Sequence, residues 1–182
     1  QQEAKKNSLY TTLFVVVLTA ILVIAAVVGV KQTLTTSGIR EKNTTALTVG
    51  NHELNSIEMN YFFMDAVNNF YSSYGSYASM FGLDVTKPLN DQVVDEEAVL
   101  TWADDFLTSA KENVKTCYAM ADAAAAAGYT LSEEELSAID SNISTLNIYA
   151  TMYGYANADA YLKAFYGNGA DTDSYAEYSK LR

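Results

Sequence analysis

The chain has 182 residues, room for one domain plus accessories, with 22 acidic against 11 basic side chains and a net charge of −11. Such acidity repels phosphates, which argues against nucleic acid as a partner and against a domain lying flat on anionic lipid. A single cysteine, Cys117, excludes an intrachain disulfide framework; its neighbours Val114, Tyr118 and Ala121 make it a small hydrophobe on a helix stripe rather than a nucleophile.

The first element is the run from Leu9 to Val30, 22 residues without a charge. As a helix it rises about 33 Å at 1.5 Å per residue, enough to cross a bilayer core. Neither a small-x-small cleavage site nor a lipobox-like cysteine closes it, so an uncleaved signal anchor is expected. Lys5 and Lys6 stand close before it, and a long acidic domain follows. Residues 1–8 are therefore expected in the cytoplasm, 9–30 in the membrane, and the C-terminal domain outside. Residues 31–45, rich in threonine and without an apolar period, read as a linker.

Ala46–Val49 and His52–Leu54 flank Gly50-Asn51 and predict a small hairpin. Asn55 and Glu58 then form a capping box, with Leu54 and Met59 as its staple, for a helix from Ser56 to about Tyr74 that stops at Gly75. Residues 75–95, with Gly82 and the only proline, Pro88, predict a loop with room for one short turn of helix. A long helix is expected from Glu96 to Ala127, because Val99, Trp102, Phe106, Ala110, Val114, Cys117, Ala121 and Ala124 recur at threes and fours; Gly128 stops it. Ser132 and Glu135 form a second capping box with Leu131 and Leu136 as staple. The spacing of Leu136, Ile139, Ile143, Leu146, Ala150 and Tyr153 predicts an antiparallel helix packed along its length. A short helix over 158–166 is capped by Asn157 and ended by Gly167, and a last one begins near Asp173 and runs to Arg182. The fold expected is mainly α: a transmembrane helix, a small β-hairpin, then four or five helices.

The order of these signals carries a resemblance. The stretch from Thr48 to Phe62, with a strand, Val49-Gly50-Asn51, a polar pair and a helix opening Ser56-Ile57-Glu58-Met59-Asn60-Tyr61, resembles the N-terminal domain of SurA/PrsA-type chaperones and peptidyl-prolyl isomerases. Tyr77–Asp84, Gly128–Glu134 and Tyr161–Gly167 are similar to the versions in membrane-anchored clostridial-type members, and the resemblance covers roughly residues 46–182. It implies a bacterial domain that cradles unfolded polypeptide, often followed by a parvulin domain that supplies the isomerase activity. That catalytic half has no counterpart in these residues, and the last helix runs into the end of the sequence, so this chain is expected to hold the chaperone-like N-terminal part.

The residues proposed to touch clients are Tyr61, Tyr71, Tyr74, Tyr77, Met80 and Phe81, because aromatic and methionine side chains adapt to extended apolar peptides. Phe62, Phe63, Ala66 and Phe70 form the core stripe of the same helix. Asp95-Glu96-Glu97 and Glu133-Glu134-Glu135 sit where helices are expected to begin and read as complements of the helix dipole, not as metal or acid–base clusters. Asp171, Asp173 and Glu177 lack the glycine and the twelfth-position glutamate of a calcium loop. His52, the only histidine, has no nucleophile or metal partner in the pattern and reads as a solvated turn residue. Asn43-Thr44-Thr45 and Asn142-Ile143-Ser144 match the glycosylation pattern but are idle in a bacterium. No catalytic set, cofactor or metal is expected. The leading reading is a membrane-tethered extracytoplasmic chaperone or foldase module acting on unfolded exported polypeptides; the alternative is a non-enzymatic structural or sensor ectodomain that binds one partner.

Overall fold

A computed structural model of the chain describes residues 36–182. The expected anchor over 9–30 and the stub before it lie outside the described residues; among those described, no helix is long and apolar enough to cross a membrane.

Residues 36–45 are not the loose linker that their composition predicts. Helix α1, Ile39–Lys42, forms a single turn there, with Gly38 before it at φ 72°. Gly38 meets the backbone of Gly169: a Cβ on Gly38 would stand 2.1 Å from the Gly169 Cα, so two glycines are what lets these strands of backbone cross. Lys42 adds an ion pair to Asp171.

The hairpin is as expected. Strands β1, Thr45–Val49, and β2, His52–Asn55, run antiparallel with Val49 opposite His52, and Gly50 turns between them at φ 59°. Asn55 then caps α2, Ser56–Tyr74. Its Oδ1 accepts from the Ile57 and Glu58 amides at 2.9 and 3.0 Å, and Glu58 Oε2 accepts from the Asn55 amide at 2.7 Å. Leu54 and Met59, on either side of this box, are both buried.

Beyond α2, residues Gly75–Phe81 wind as a 3-10 helix, and a second 3-10 turn covers Leu89–Asp91. The loop between them is organised by one buried polar side chain. Gln92 Oε1 accepts from the Asp84 amide at 2.7 Å, while its Nε2 donates to the carbonyls of Asp84, Lys87 and Pro88 at 3.0 to 3.2 Å. A buried amide whose four bonds all go to local backbone acts as a substitute for regular structure.

The long helix begins six residues later than its apolar stripe predicts. Residues 93–101 instead form a tiny hairpin, β3 Val93–Asp95 with β4 Leu100–Thr101, and helix α3 is Trp102–Ala126. The reason is local. Thr101 and Asp104 make a capping box, and Asp95 Oδ1 accepts from the Glu97 and Ala98 amides, which commits those residues to a turn. Val99 fits the helical period by sequence but stands exposed at φ 54°. The acidic triplet at 95–97 thus sits in a turn, not at a helix start.

α3 ends as expected. The Gly128 amide donates to the Ala125 carbonyl and the Tyr129 amide to that of Ala124, a Schellman closure with Gly128 left-handed. Helix α4, Glu133–Met152, carries the Ser132–Glu135 box; α5, Ala158–Tyr166, is capped by Asn157; α6 is Thr172–Leu181, capped by Asp171.

The core lies between α2 and α3 and is closed by α5, α6 and the hairpin. Trp102, Phe106, Ala110 and Val114, spaced by four, form the buried edge of α3 against Phe62 and Ala66 of α2. Phe63 and Phe70 fill the seam from half-buried positions, with Phe70 5.1 Å from Trp102 and 5.6 Å from Phe106, ring centre to ring centre. α4 does not pack along its length as predicted. It rests on α5 and α6, only Ala150 of its stripe is buried, and Leu136 is exposed. The 3–4 period gave the right face, but that face meets the short helices near its C-terminal end and a recess near its start.

Candidate functional site

Of the six residues proposed to touch clients, four form one exposed surface. Tyr74 ends α2, and Tyr77, Met80 and Phe81 belong to the 3-10 helix that follows; they are 43%, 65%, 78% and 52% exposed. The tight 3-10 winding after Gly75 turns the chain back on α2, which brings the Phe81 ring 4.8 Å from Tyr74 and 6.0 Å from Phe70. Phe70 in turn lies against Trp102, so the Tyr74 and Phe81 rings are backed by core aromatics. Ala78 and Leu83 are buried beneath, and beside them an open recess of about 460 Å³ is walled by Gly75, Ser79, Gly82 and exposed Val85. Tyr71 is half-buried and packs toward the core, so it supports this surface from its edge.

Tyr61 does not belong to the site. It is fully buried, its hydroxyl bonded to Ser174 Oγ at 2.9 Å and its ring 4.6 Å from Tyr166 and 5.0 Å from Tyr178. α2 presents a wide apolar face, and α5 and α6 cover the flank on which Tyr61 stands; sequence spacing on α2 alone does not show where those later helices return. Burial drives the Tyr61 and Tyr178 phenols well above the usual tyrosine range, and pushes Tyr166 up to about 12. Tyr178 also donates to Asp65, which accepts from Arg182 as well.

A second apolar recess, missed by sequence reasoning, lies between the last turns of α3 and the first turns of α4. It measures about 630 Å³; Ala121, Ala124 and Ala125 floor one wall, Ala138 and Ile139 the other, and Leu181 closes it at the end of α6. The alanine run that promised only helix propensity thus leaves space that larger side chains would fill. At its mouth Tyr129 donates to Glu135, and this bond, followed by those from the Ser132 amide and hydroxyl, holds the Glu135 carboxyl below the usual range.

The remaining candidates have structural partners. His52 stacks on Tyr118 and bonds to Asp122 across the hairpin–α3 seam, so it is less a free turn residue than a clasp. Asp171 caps α6 at Ser174. Cys117 is half-buried, and burial raises its thiol pKa, away from nucleophilic character. Among the described residues no group of three or more His, Cys, Asp or Glu side chains converges.

Comparison of the chain with family models, with curated proteins and with solved structures finds no match.

Proposed function

We propose that the chain is a membrane-tethered, extracytoplasmic chaperone or foldase module that holds unfolded stretches of exported polypeptides, the N-terminal part of a SurA/PrsA-type peptidyl-prolyl isomerase. The observation that carries this reading is the Tyr74–Phe81 surface. Four large apolar side chains stand in water within eight residues, two of them, Tyr74 and Phe81, on an aromatic backing, in a chain that is otherwise strongly acidic. Rings with one polar edge and a flexible thioether suit reversible contact with varied apolar segments. The alanine-walled recess between α3 and α4 offers a second hold at a distance along the same client. Acidic side chains around both keep a loaded complex soluble and favour basic clients.

The test uses the full chain in phosphatidylcholine nanodiscs, mixed with a chemically denatured, aggregation-prone protein on dilution while light scattering is followed. The native chain suppresses scattering at near-stoichiometric ratios. The triple variant Tyr74→Ser, Tyr77→Ser, Met80→Ser keeps its helical circular dichroism and loses most of the suppression. Full suppression by that folded variant, or none by the native chain, sinks the reading.

A further inference from the structure

The end of α4, the turn after it and α5 carry another exposed aromatic surface, which peptide holding at Tyr74–Phe81 does not use. Met152 and Tyr153 are 73% and 69% exposed, and Tyr149 and Phe165 are exposed as well. Tyr161 ties them together: its ring lies 4.5 Å from Phe165 and 6.2 Å from Tyr153. Such a patch marks contact with something apolar. Two observations select the occupant.

The first is charge. Between Ser141 and Ala170 the chain carries only two charged side chains, Asp159 and Lys163, although the whole chain has a net charge of −11. Both are engaged locally: Asp159 accepts from the Thr172 amide at 2.8 Å, and Lys163 donates to the Thr36 carbonyl at 2.6 Å. At about 100° per residue, Tyr161 and Phe165 share one flank of α5, with Asp159 and Lys163 on the other and the small Ala160 and Ala164 between. The acidity that argues against a lipid surface for the whole domain is therefore missing from this face. Tyrosines, apolar in body and polar at the tip, are the side chains that settle at a membrane–water boundary.

The second is the tether. Thr36 is held on α5 by Lys163, and Gly38 is locked against Gly169 just after α5. Six Cα steps separate Val30, where the apolar run ends, from Thr36, which limits their separation to about 20 Å even when fully extended. α5, a helix about 10 Å wide, therefore cannot move far from wherever that run is held.

We infer that the Tyr149–Phe165 face is a docking surface for the bilayer that anchors the chain: with Leu9–Val30 inserted, the α4–α5 edge rests at headgroup level and the acidic surface faces away. The inference rests on the anchoring part of the proposed function and is independent of peptide holding.

The experiment places a nitrobenzoxadiazole label on single cysteines in the full chain carrying Cys117→Ala, in phosphatidylcholine vesicles with or without headgroup-nitroxide lipid. The sites are Tyr153→Cys on the face, Glu97→Cys on the exposed β3–β4 turn, and Val23→Cys within the apolar run. The expected result is quenching by nitroxide lipid at 23 and 153, several-fold weaker at 97, with the 153 signal reduced by Met152→Ser and Phe165→Ser. Quenching at 23 with none at 153 beyond that at 97 overturns the docking face alone. No quenching at 23 overturns the anchor and the docking with it. A label at 153 shielded from aqueous iodide yet untouched by the lipid nitroxide overturns it in favour of a protein partner. Light scattering with a denatured client, run on the same vesicles, reports peptide holding separately from every one of these results.

Discussion

The imidazole of His52 lies on the ring of Tyr118, 4.2 Å between centroids and 17° from parallel, while its Nε2 meets Asp122 Oδ1 at 2.8 Å. One hairpin side chain thereby grips α3 at two positions a turn apart. The hydrogen bond to Asp122 is largely exposed and contributes below about 1 kcal/mol, and the stack adds about 0.5–1.5 kcal/mol. His52→Ala is expected to lower stability by about 1 kcal/mol in urea unfolding, and His52→Phe, which keeps the stack, to recover most of it. Equal losses in both variants would assign the effect to the hydrogen bond.

The tyrosine cluster of α2, α5 and α6 makes the fold sensitive to alkali. Below about pH 10 the phenols are protonated in folded and unfolded chains alike. Above it the unfolded chain ionises while Tyr61, Tyr166 and Tyr178 stay neutral in the core, so proton loss favours unfolding. Stability is expected to fall steadily as the pH rises from about 10 toward the Tyr166 value of about 12. Urea midpoints along that range, read beside tyrosinate absorbance, check it; a flat profile would place these phenols in water.

Tyr61→Phe removes only the hydroxyl and leaves Ser174 Oγ without that partner. A loss of about 1–2 kcal/mol follows, with the near-ultraviolet dichroism of the remaining rings kept. Tyr77→Phe, at an exposed position, is expected to change stability by less than about 0.5 kcal/mol.

Much of this fold is legible because its signals are short-ranged. The Asn55–Glu58 and Ser132–Glu135 boxes are complete within four residues, so they locate α2 and α4 whatever surrounds them. The apolar period makes α3 too long because Val99 happens to continue it, while the competing box at Thr101–Asp104 and the turn bonds of Asp95 decide the geometry. Burial of Tyr61 depends on helices more than a hundred residues later, and no pattern within α2 reports them. Nor does composition separate a linker from Thr36–Lys42, whose order comes from Lys163, Asp171 and Gly169.

Gln92 is one such residue, silent in sequence and central in its loop. Gln92→Leu leaves the Asp84 amide and three carbonyls without their partner, at a cost of about 2–3 kcal/mol. Faster proteolysis confined to residues 82–92 is the expected signature, and unchanged cleavage would mean the backbone holds itself.

Gly38→Ala places a methyl group where the Gly169 backbone stands and forces a left-handed φ on a residue that resists it. The N-terminal turn is expected to detach from α5, and the already exposed Arg40 and Lys42 lose the ordered backbone that slows trypsin there, while the melting of the remaining core shifts little. Cleavage as slow as in the native chain would show that Lys163 and Asp171 alone hold it.

The uneven placement of charge has an electrical consequence. With only Asp159 and Lys163 between Ser141 and Ala170 and an acidic excess elsewhere, the domain behaves as a dipole with one uncharged pole. Near an anionic sheet of headgroups the acidic pole is pushed outward and the molecule experiences a torque that turns the end of α4 and α5 inward before any side chain touches lipid. That torque acts within a Debye length, about 8 Å at physiological ionic strength, so added salt loosens the heading of the domain without lengthening its leash.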